Sequence, residues 1–302
     1  MKNDSKKIDF KKIGSLLIVA VAICSCGLFG CSKKSTANND KEILVVSFGT
    51  SYNTSRTITI GAIEAAIQEA FPEWKVKRAF TADTIIGILK DRDGIVIDTV
   101  QQALDKAVAA GVKTLVIQPT HLMSGFEYTD LNEVAQLYKD KFDSLVVSAP
   151  LLTSDADYKK VVSAITEKTA SFDDGATAIC FMGHGTEADS NSDYTKLQGF
   201  LSDGGFSNYY VGTVEASPSV EDLLKAVQAK SQYKRVLLLP LMVVAGDHAN
   251  NDMAGDEDDS WKSIFLAANY NVTTILEGLG QNWAIQQIYV QHVKDAIATL
   301  SK

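Results

Sequence analysis

The sequence predicts an α/β protein with two similar domains, each built on a mainly parallel four-stranded sheet flanked by helices. Short apolar runs rich in β-branched residues alternate with helical patterns along the 302 residues. Such runs are typical of parallel strands covered on both faces, and strand–helix alternation gives right-handed βαβ units. The composition, with 46% hydrophobic and 22% charged residues, is that of a foldable globular chain and excludes disorder for most of its length.

The predicted elements fall into two sets of four strands. The strands are Ile43–Phe48, Val76–Phe80, Thr114–Gln118 and Ser144–Ala149 in the first half, and Ala176–Met182, Tyr209–Val214, Arg235–Leu239 and Val272–Leu276 in the second. The helical patterns are Ser55–Phe71, Val100–Ala110, Ser219–Ala229 and Trp283–Leu300. We therefore expect an N-terminal domain of residues 43–150 and a C-terminal domain of residues 151–302.

A shared spacing indicates that the two halves are a duplicated unit. The third strand of each half ends at a proline, a glycine follows six residues later, and a polar residue follows two further on. These residues are Pro119, Gly125 and Glu127 in the first half, and Pro240, Gly246 and His248 in the second. A chance match of spacings is the alternative explanation.

The first 42 residues are expected to lie outside the fold. A start containing five lysines precedes the uncharged run Ile13–Gly30, the pattern of an export signal. The run ends in Leu28–Cys31, which resembles a bacterial lipobox, although Phe29 is unusual there. We expect a lipoprotein signal peptide over residues 1–30, lipidation of Cys31, a polar tether over residues 31–42, and an exported protein anchored on a periplasmic or extracellular membrane face. The alternatives are lipidation at Cys26 and an uncleaved membrane anchor.

The net charge of the chain indicates which classes of partner it can bind. The net charge is −8, and it becomes −11 once residues 1–30 are removed. Because the Lys-rich run is confined to the first 12 residues, the sequence predicts no nucleic-acid partner. It has neither GxGxxG nor a P-loop lysine, so no nucleotide is expected.

We expect Cys180, within an apolar run, to be a buried thiol and His292 to lie on the packed face of its helix.

The polar residues that could carry chemistry stand at predicted strand ends. His184, Glu215 and His248 follow the first three strands of the second half. Because the carboxyl ends of parallel strands share one edge of a sheet, we expect the three side chains to converge. Two imidazoles and a carboxylate suit a divalent metal such as Co²⁺, Fe²⁺, Ni²⁺ or Zn²⁺, and they also suit proton transfer near neutral pH. A structural role for each residue is the alternative.

Long motifs around these positions resemble a known family. Leu44–Ser51 resembles the opening of the anaerobic cobalt chelatases of the CbiK type, and the likeness extends over roughly residues 42–300. Further matching runs are Arg78–Thr81, Asp93–Ile95, Ile97–Thr99, Phe181–Gly185, Pro240–Ala254 and Asp259–Lys262. The resemblance implies the chelatase-like fold, with two Rossmann-like domains around a cleft, and insertion of Co²⁺, or alternatively Fe²⁺, into sirohydrochlorin during anaerobic cobalamin biosynthesis.

The resemblance also implies roles for individual residues. His184, His248 and Glu215 would hold the metal, His184 and His248 would also handle protons, and Glu127 would face the cleft as a further catalytic residue. We expect Thr50, Ser51 and Thr81 to contact the acidic side chains of the tetrapyrrole. His121 is a weaker candidate as a haem ligand. A homo-oligomer is compatible with the family.

Export is unusual for a biosynthetic enzyme and leaves other functions open. One alternative is a lipoprotein that captures haem, another tetrapyrrole or a metal for an importer. A weaker alternative is a dechelatase that removes metal from scavenged macrocycles. Retention of all three metal-site residues favours the chelatase.

Overall fold

The computed structural model describes residues 40–300 and contains two four-stranded sheets of identical topology. The first comprises β1 (Lys41–Ser47), β2 (Lys75–Phe80), β3 (Thr114–Pro119) and β4 (Ser144–Val147) in the order β2-β1-β3-β4. The second comprises β5 (Thr177–Gly183), β6 (Tyr209–Thr213), β7 (Arg235–Pro240) and β8 (Asn271–Thr274) in the order β6-β5-β7-β8. Every strand pair is parallel. The predicted fold class and all eight strands are confirmed, with ends that shift by one or two residues.

Ten α-helices flank the sheets in the described part of the chain. They are α1 (Asn53–Ile58), α2 (Ile60–Ala70), α3 (Asp83–Asp93), α4 (Val100–Ala109), α5 (Phe126–Tyr138), α6 (Asp155–Thr169), α7 (Ser192–Asp203), α8 (Val220–Gln228), α9 (Trp261–Ala267) and α10 (Trp283–Leu300). The expected single helix Ser55–Phe71 is wrong, because it is divided at Thr59, whose hydroxyl donates a hydrogen bond to the Ser55 carbonyl. None of these helices is both long and apolar enough to cross a membrane.

Alternate residues of each strand face different cores, as the pleat of a strand requires. Ile43 and Val45 of β1 face a central core, whereas Leu44 and Val46 face an outer core covered by α4 and α5. The second sheet behaves in the same way, with α8 and α9 over its outer face. Residues of both sheets and of α2, α6, α7 and α10 share the central core. The two sheets are therefore joined by one continuous apolar layer.

The C-terminal helix α10 packs mainly on the first half of the chain. It contacts α2, β3 and β4 as well as α6. The hydroxyl of Tyr289 on α10 donates a hydrogen bond to the Thr120 carbonyl, 169 residues earlier. The expected positions of His292 and Cys180 are confirmed, since both side chains are buried. The domain boundary at residue 150 stays a prediction, and Cys26 and Cys31 lie outside the described residues.

Candidate metal site

Three side chains converge at the carboxyl edge of the second sheet. His184 directly follows β5, Glu215 follows β6, and His248 lies in the loop after β7. One possible ligand atom of each residue lies within 4.8 Å of the others. The imidazole ring centres of His184 and His248 are 4.6 Å apart and the rings are nearly perpendicular. The expected convergence is present, and the donor set fits a divalent first-row metal.

Backbone contacts between two loops place His184 beside Glu215. The Glu215 N–H donates to the His184 carbonyl at 2.8 Å, and the Val214 N–H donates to the Gly183 carbonyl at 3.0 Å. Gly185 has a φ of +90°, and a Cβ there would lie 2.8 Å from the amide nitrogen of Ala216. Glycine therefore permits the close approach that brings the imidazole and the carboxylate together.

The hydrogen bonds of the two histidines indicate which ring nitrogens are available to a metal. His184 Nδ1 lies 2.8 Å from the Gly185 carbonyl oxygen, and His248 Nδ1 lies 2.8 Å from Asp252 Oδ2. Both partners are acceptors, so each Nδ1 carries the proton. In the neutral rings both Nε2 atoms then carry a lone pair. A carboxylate bonded to the far nitrogen of a ligating histidine also makes the imidazole more basic.

The site is open to solvent. The exposed fractions of the His184, Glu215 and His248 side chains are 47%, 55% and 31%. The nearest carboxylate oxygen of Glu215 lies 3.7 Å from His184 Nδ1. Three protein donors in an open position are typical of a site that exchanges its metal or a further ligand, whereas structural zinc sites are closed by four ligands.

The acidic segment after His248 divides into two parts. Asp252 holds His248, as described above, and Asp256 pairs with Lys262 at 2.7 Å. The carboxylates of Glu257, Asp258 and Asp259 are exposed. These three residues form a solvated acidic loop.

Loops of the first sheet contact those of the second beside this site. A Cβ on Gly246 would lie 3.3 Å from Thr50 Oγ1, and the Ala245 N–H donates to Ser55 Oγ at 3.1 Å. Thr50 is buried, and its hydroxyl accepts a hydrogen bond from the Tyr52 N–H. The carbonyl of Ser51 accepts a hydrogen bond from Arg92. Contact of Thr50 and Ser51 with the macrocycle stays a prediction.

Three further polar residues that the sequence analysis named lie after strands of the first sheet. Thr81 follows β2, and its Oγ1 is buried without a hydrogen-bond partner. Glu127 is an exposed residue in the first turn of α5 and does not belong to the three-residue cluster. Both ring nitrogens of His121 are buried and unpartnered, which does not favour ligation of haem at its surface.

Sequence reasoning missed two residues that hold the site together. Asp252 orients His248, and its four-residue spacing on a helical turn is the signal that could have found it. The ring of Tyr194 packs against Gly183, and its hydroxyl accepts a hydrogen bond from the Gly185 N–H at 3.3 Å. Tyr194 lies on α7, and nothing in its local sequence indicates this contact.

Comparison with known proteins agrees with this geometry. Residues 41–298 match the family model described as cobalt chelatase (CbiK). The chain belongs to this family. It is 39% identical over 257 residues to the sirohydrochlorin cobaltochelatase of Salmonella typhimurium, covering 85% of this chain and 96% of that protein. It is 29% identical over 265 residues to the sirohydrochlorin cobaltochelatase CbiKC of Nitratidesulfovibrio vulgaris, covering 86% and 92% of the two chains.

Solved structures show that this CbiK family member shares its fold with other chelatases. SirB from Bacillus subtilis with Fe³⁺ matches with a TM-score of 0.62 at 12% identity, over 87% of this chain and 97% of that one. CbiX, the terminal enzyme of sirohaem biosynthesis in denitrifying bacteria, matches with a TM-score of 0.51 at 15% identity, over 85% and 99%. At these identities the likeness concerns the fold alone.

Proposed function

We propose that the protein is a sirohydrochlorin cobaltochelatase that inserts Co²⁺ into the macrocycle. The observation that carries the proposal is the convergence of His184, Glu215 and His248 within 4.8 Å, in a chain 39% identical to a protein named for that activity. Fe²⁺ is the second candidate metal, because the same donor set accepts it.

The geometry suggests how Co²⁺ is presented as a substrate. The Nε2 atoms of His184 and His248 and the carboxylate of Glu215 bind the ion, which retains water on its open side. Asp252 keeps the proton of His248 on Nδ1 and so preserves the lone pair on Nε2. The macrocycle nitrogens then replace the protein ligands one by one. Three protein ligands at an exposed site suit a metal that must leave in each turnover.

Metal insertion also releases two pyrrole protons. A nitrogen that binds the metal cannot accept a proton at the same time, so at least one base lies outside the three ligands or acts after a ligand has left. We assign this role to Glu127, whose exposed carboxylate lies in the first turn of α5. A Cβ on the preceding Gly125 would lie 3.7 Å from Glu127 Oε2 and 3.6 Å from Ser190 Oγ, in the loop after β5. General bases of this kind typically contribute about 10² to 10⁴ in rate.

The location of the reaction is a separate part of the proposal. Cys31 in the run Leu28–Cys31 supports export, lipidation and attachment to a membrane face. The same feature favours a second candidate function, a lipoprotein that captures a tetrapyrrole or a metal for an importer. A capture protein has no need of a proton acceptor, and its affinity for the macrocycle would not depend on His184.

One experiment separates the two functions. Residues 32–302 are purified, and anaerobic Co²⁺ insertion into sirohydrochlorin is followed by absorbance for the wild type and for His184→Ala. The chelatase predicts turnover that His184→Ala abolishes while the circular dichroism spectrum is retained. Tight binding of sirohydrochlorin without turnover, with Co²⁺ or Fe²⁺ and at equal affinity in the variant, would overturn the chelatase and favour capture.

A further inference from the structure

The segment of residues 244–247, which directly precedes the candidate metal ligand His248, lies against the first half of the chain. Its first residue, Val244, packs on an apolar cluster formed by Ile60 of α2, Phe80 of β2 and Leu89 of α3. The other described members of this cluster all belong to the first half. The loop after β7 therefore packs on side chains that lie outside its own sheet.

The next two residues of this segment contact the turn between β1 and α1. The Ala245 N–H donates a hydrogen bond to Ser55 Oγ at 3.1 Å. Ala245 is buried, so the serine supplies an acceptor to an amide that is shielded from water. A Cβ on Gly246 would lie 3.3 Å from Thr50 Oγ1 and 3.9 Å from Thr50 Cβ. Glycine at position 246 therefore lets the segment rest directly on Thr50.

Tyr52 holds the residue that is adjacent to the ligand. Its hydroxyl donates a hydrogen bond to Asp247 Oδ1 over 3.4 Å, across 195 residues of sequence. The side-chain amide of Asn251 donates to the same oxygen at 2.9 Å. One residue from each half of the chain therefore fixes the carboxylate of Asp247.

The other two candidate ligands are held within the second half. The Glu215 N–H donates to the His184 carbonyl, which joins the loops after β5 and β6. Beyond His248, Met253 is buried in the outer core of the second sheet. His248 thus lies at the junction between a segment that rests on the first half and a turn that is anchored in the second.

We propose that Thr50, Ser55 and Tyr52 are positioning residues for His248, which set its distance from the other two ligands and so the Co²⁺ affinity of the site. The inference rests on the metal site of the proposed chelatase and adds to it a dependence on the first half of the chain. The three side chains act through residues 244–247 and do not bind the ion. Metal ligands must be held within about 0.5 Å of their working geometry, so a small shift of this segment is sufficient to weaken binding.

Binding of Co²⁺ in the absence of the macrocycle tests the inference, because it does not require turnover. Co²⁺ is titrated anaerobically into the purified protein and followed by calorimetry and by the visible absorption of the bound ion. We expect Tyr52→Phe to lower the affinity by about 3- to 10-fold, less than the 10- to 100-fold typical of a residue bonded directly to a ligand. The absorption bands of the bound Co²⁺ should also shift, whereas a general loss of stability would leave them unchanged.

Tyr138→Phe is the matched control for this change. The hydroxyl of Tyr138 also donates a hydrogen bond to an exposed aspartate, Asp105, but both residues lie on helices of the first half. Tyr138→Phe should therefore retain the affinity and the spectrum of the wild type. Tyr52 and Asp247 are both at least partly exposed, so we expect Tyr52→Phe to fold.

A rescue experiment tests the contact between Gly246 and Thr50. In Gly246→Ala the added methyl group pushes the segment away from Thr50, and the affinity should fall by about tenfold or more. Thr50→Ala removes the oxygen at 3.3 Å and leaves a Cβ at 3.9 Å, which is an ordinary contact distance. The double variant should therefore recover most of the affinity, measured against Thr50→Ala alone.

Two results would overturn the positioning role. One is a Tyr52→Phe protein with the Co²⁺ affinity and absorption spectrum of the wild type, and the other is a Gly246→Ala defect that Thr50→Ala does not relieve. Absence of Co²⁺ binding by the wild type would overturn the metal site and this inference together. Binding of Co²⁺ without its insertion into sirohydrochlorin would overturn the chelatase alone, so the failures are distinguishable.

Discussion

The Nε2 atom of His292 on α10 lies 3.2 Å from Oδ1 of Asp157 on α6, and only 7% of each side chain is exposed. His292 Nδ1 lies 3.2 Å from the Ala149 carbonyl oxygen, at the end of the first half of the chain. Asp157 also accepts hydrogen bonds from the N–H and hydroxyl of Ser154. The pair therefore joins the C-terminal helix to the segment that connects the two sheets.

Asp157→Asn should destabilise the protein at neutral pH. Burial by itself raises the pKa of Asp157, but the hydrogen bonds from Ser154 and the interaction with His292 outweigh it, and the folded-state pKa lies below 3.8. The stabilisation is therefore present above pH 3.8 and is lost as the pH falls through the folded-state pKa. Urea unfolding should show a loss of about 1 to 3 kcal/mol near neutral pH, which shrinks towards acid.

Asp155→Asn is the matched control for this change. It removes a carboxylate from the same helical turn, but Asp155 pairs with Lys196 while 71% exposed. The expected loss is below about 1 kcal/mol. Equal losses in the two variants would contradict a special role for the buried pair.

Gly185→Ala should weaken metal binding. The added Cβ would lie 2.8 Å from the Ala216 nitrogen, at a φ of +90°, so the two loops must separate and move Glu215 away from His184. Calorimetry should show a fall of about tenfold or more in Co²⁺ affinity. Gly205→Ala is the control, because Gly205 has a φ of +86° and open space around it. It should cost about 1 to 2 kcal/mol of stability and leave the affinity unchanged.

Asp252→Asn should lower the activity through His248. The amide retains an oxygen for the Nδ1 proton but loses the charge that makes the imidazole basic. We expect a fall of about 10- to 100-fold in Co²⁺ affinity or in kcat. Asp256→Asn removes a nearby exposed carboxylate that pairs with Lys262 instead, and a comparable loss in that variant would point to the field of the acidic loop.

Phe126→Ala should raise the KM for the macrocycle. Phe126 is 56% exposed and precedes Glu127 at the start of α5, so its ring is available to stack on a flat substrate. Loss of one aromatic contact corresponds to about tenfold in KM, with kcat within about twofold. Leu137→Ala, at the far end of the same helix and 79% exposed, should change neither parameter. A fall confined to kcat would instead implicate the placement of Glu127.

The strands and the convergence of the metal-site residues could be predicted because both follow from short-range rules. A buried parallel strand appears in the sequence as a continuous apolar run. Because parallel strands end at the same edge of their sheet, His184, Glu215 and His248 could be expected to lie together. Five helices were not predicted, namely α3, α5, α6, α7 and α9. In α3 only Leu89 is buried, in an otherwise polar or partly exposed segment. In contrast, α6 has a regular buried face that includes Tyr158, Val161 and Ile165, so this helix could have been predicted.

Long-range contacts are what the sequence could not show. The last helix, α10, packs on the first sheet, so elements that are far apart in the sequence are neighbours in the fold. No local sequence pattern indicates this contact. The burial of both ring nitrogens of His121 depends on the surrounding loops, as does the contact of Tyr194 with the His184 loop. The four-residue spacing of Asp252 from His248 is a sequence signal, but their hydrogen bond depends on the direction of the Asp252 side chain.

The packing of α10 determines when this protein can fold during its synthesis. The first strand begins at Lys41, yet the helix that packs on β3 and β4 of its sheet begins at Trp283. A ribosome adds about 5 to 20 residues per second, so more than about ten seconds separate the two. Until then the part of the central core that α10 closes over β3 and β4 stays uncovered. The nascent polypeptide is therefore incompletely folded throughout its elongation.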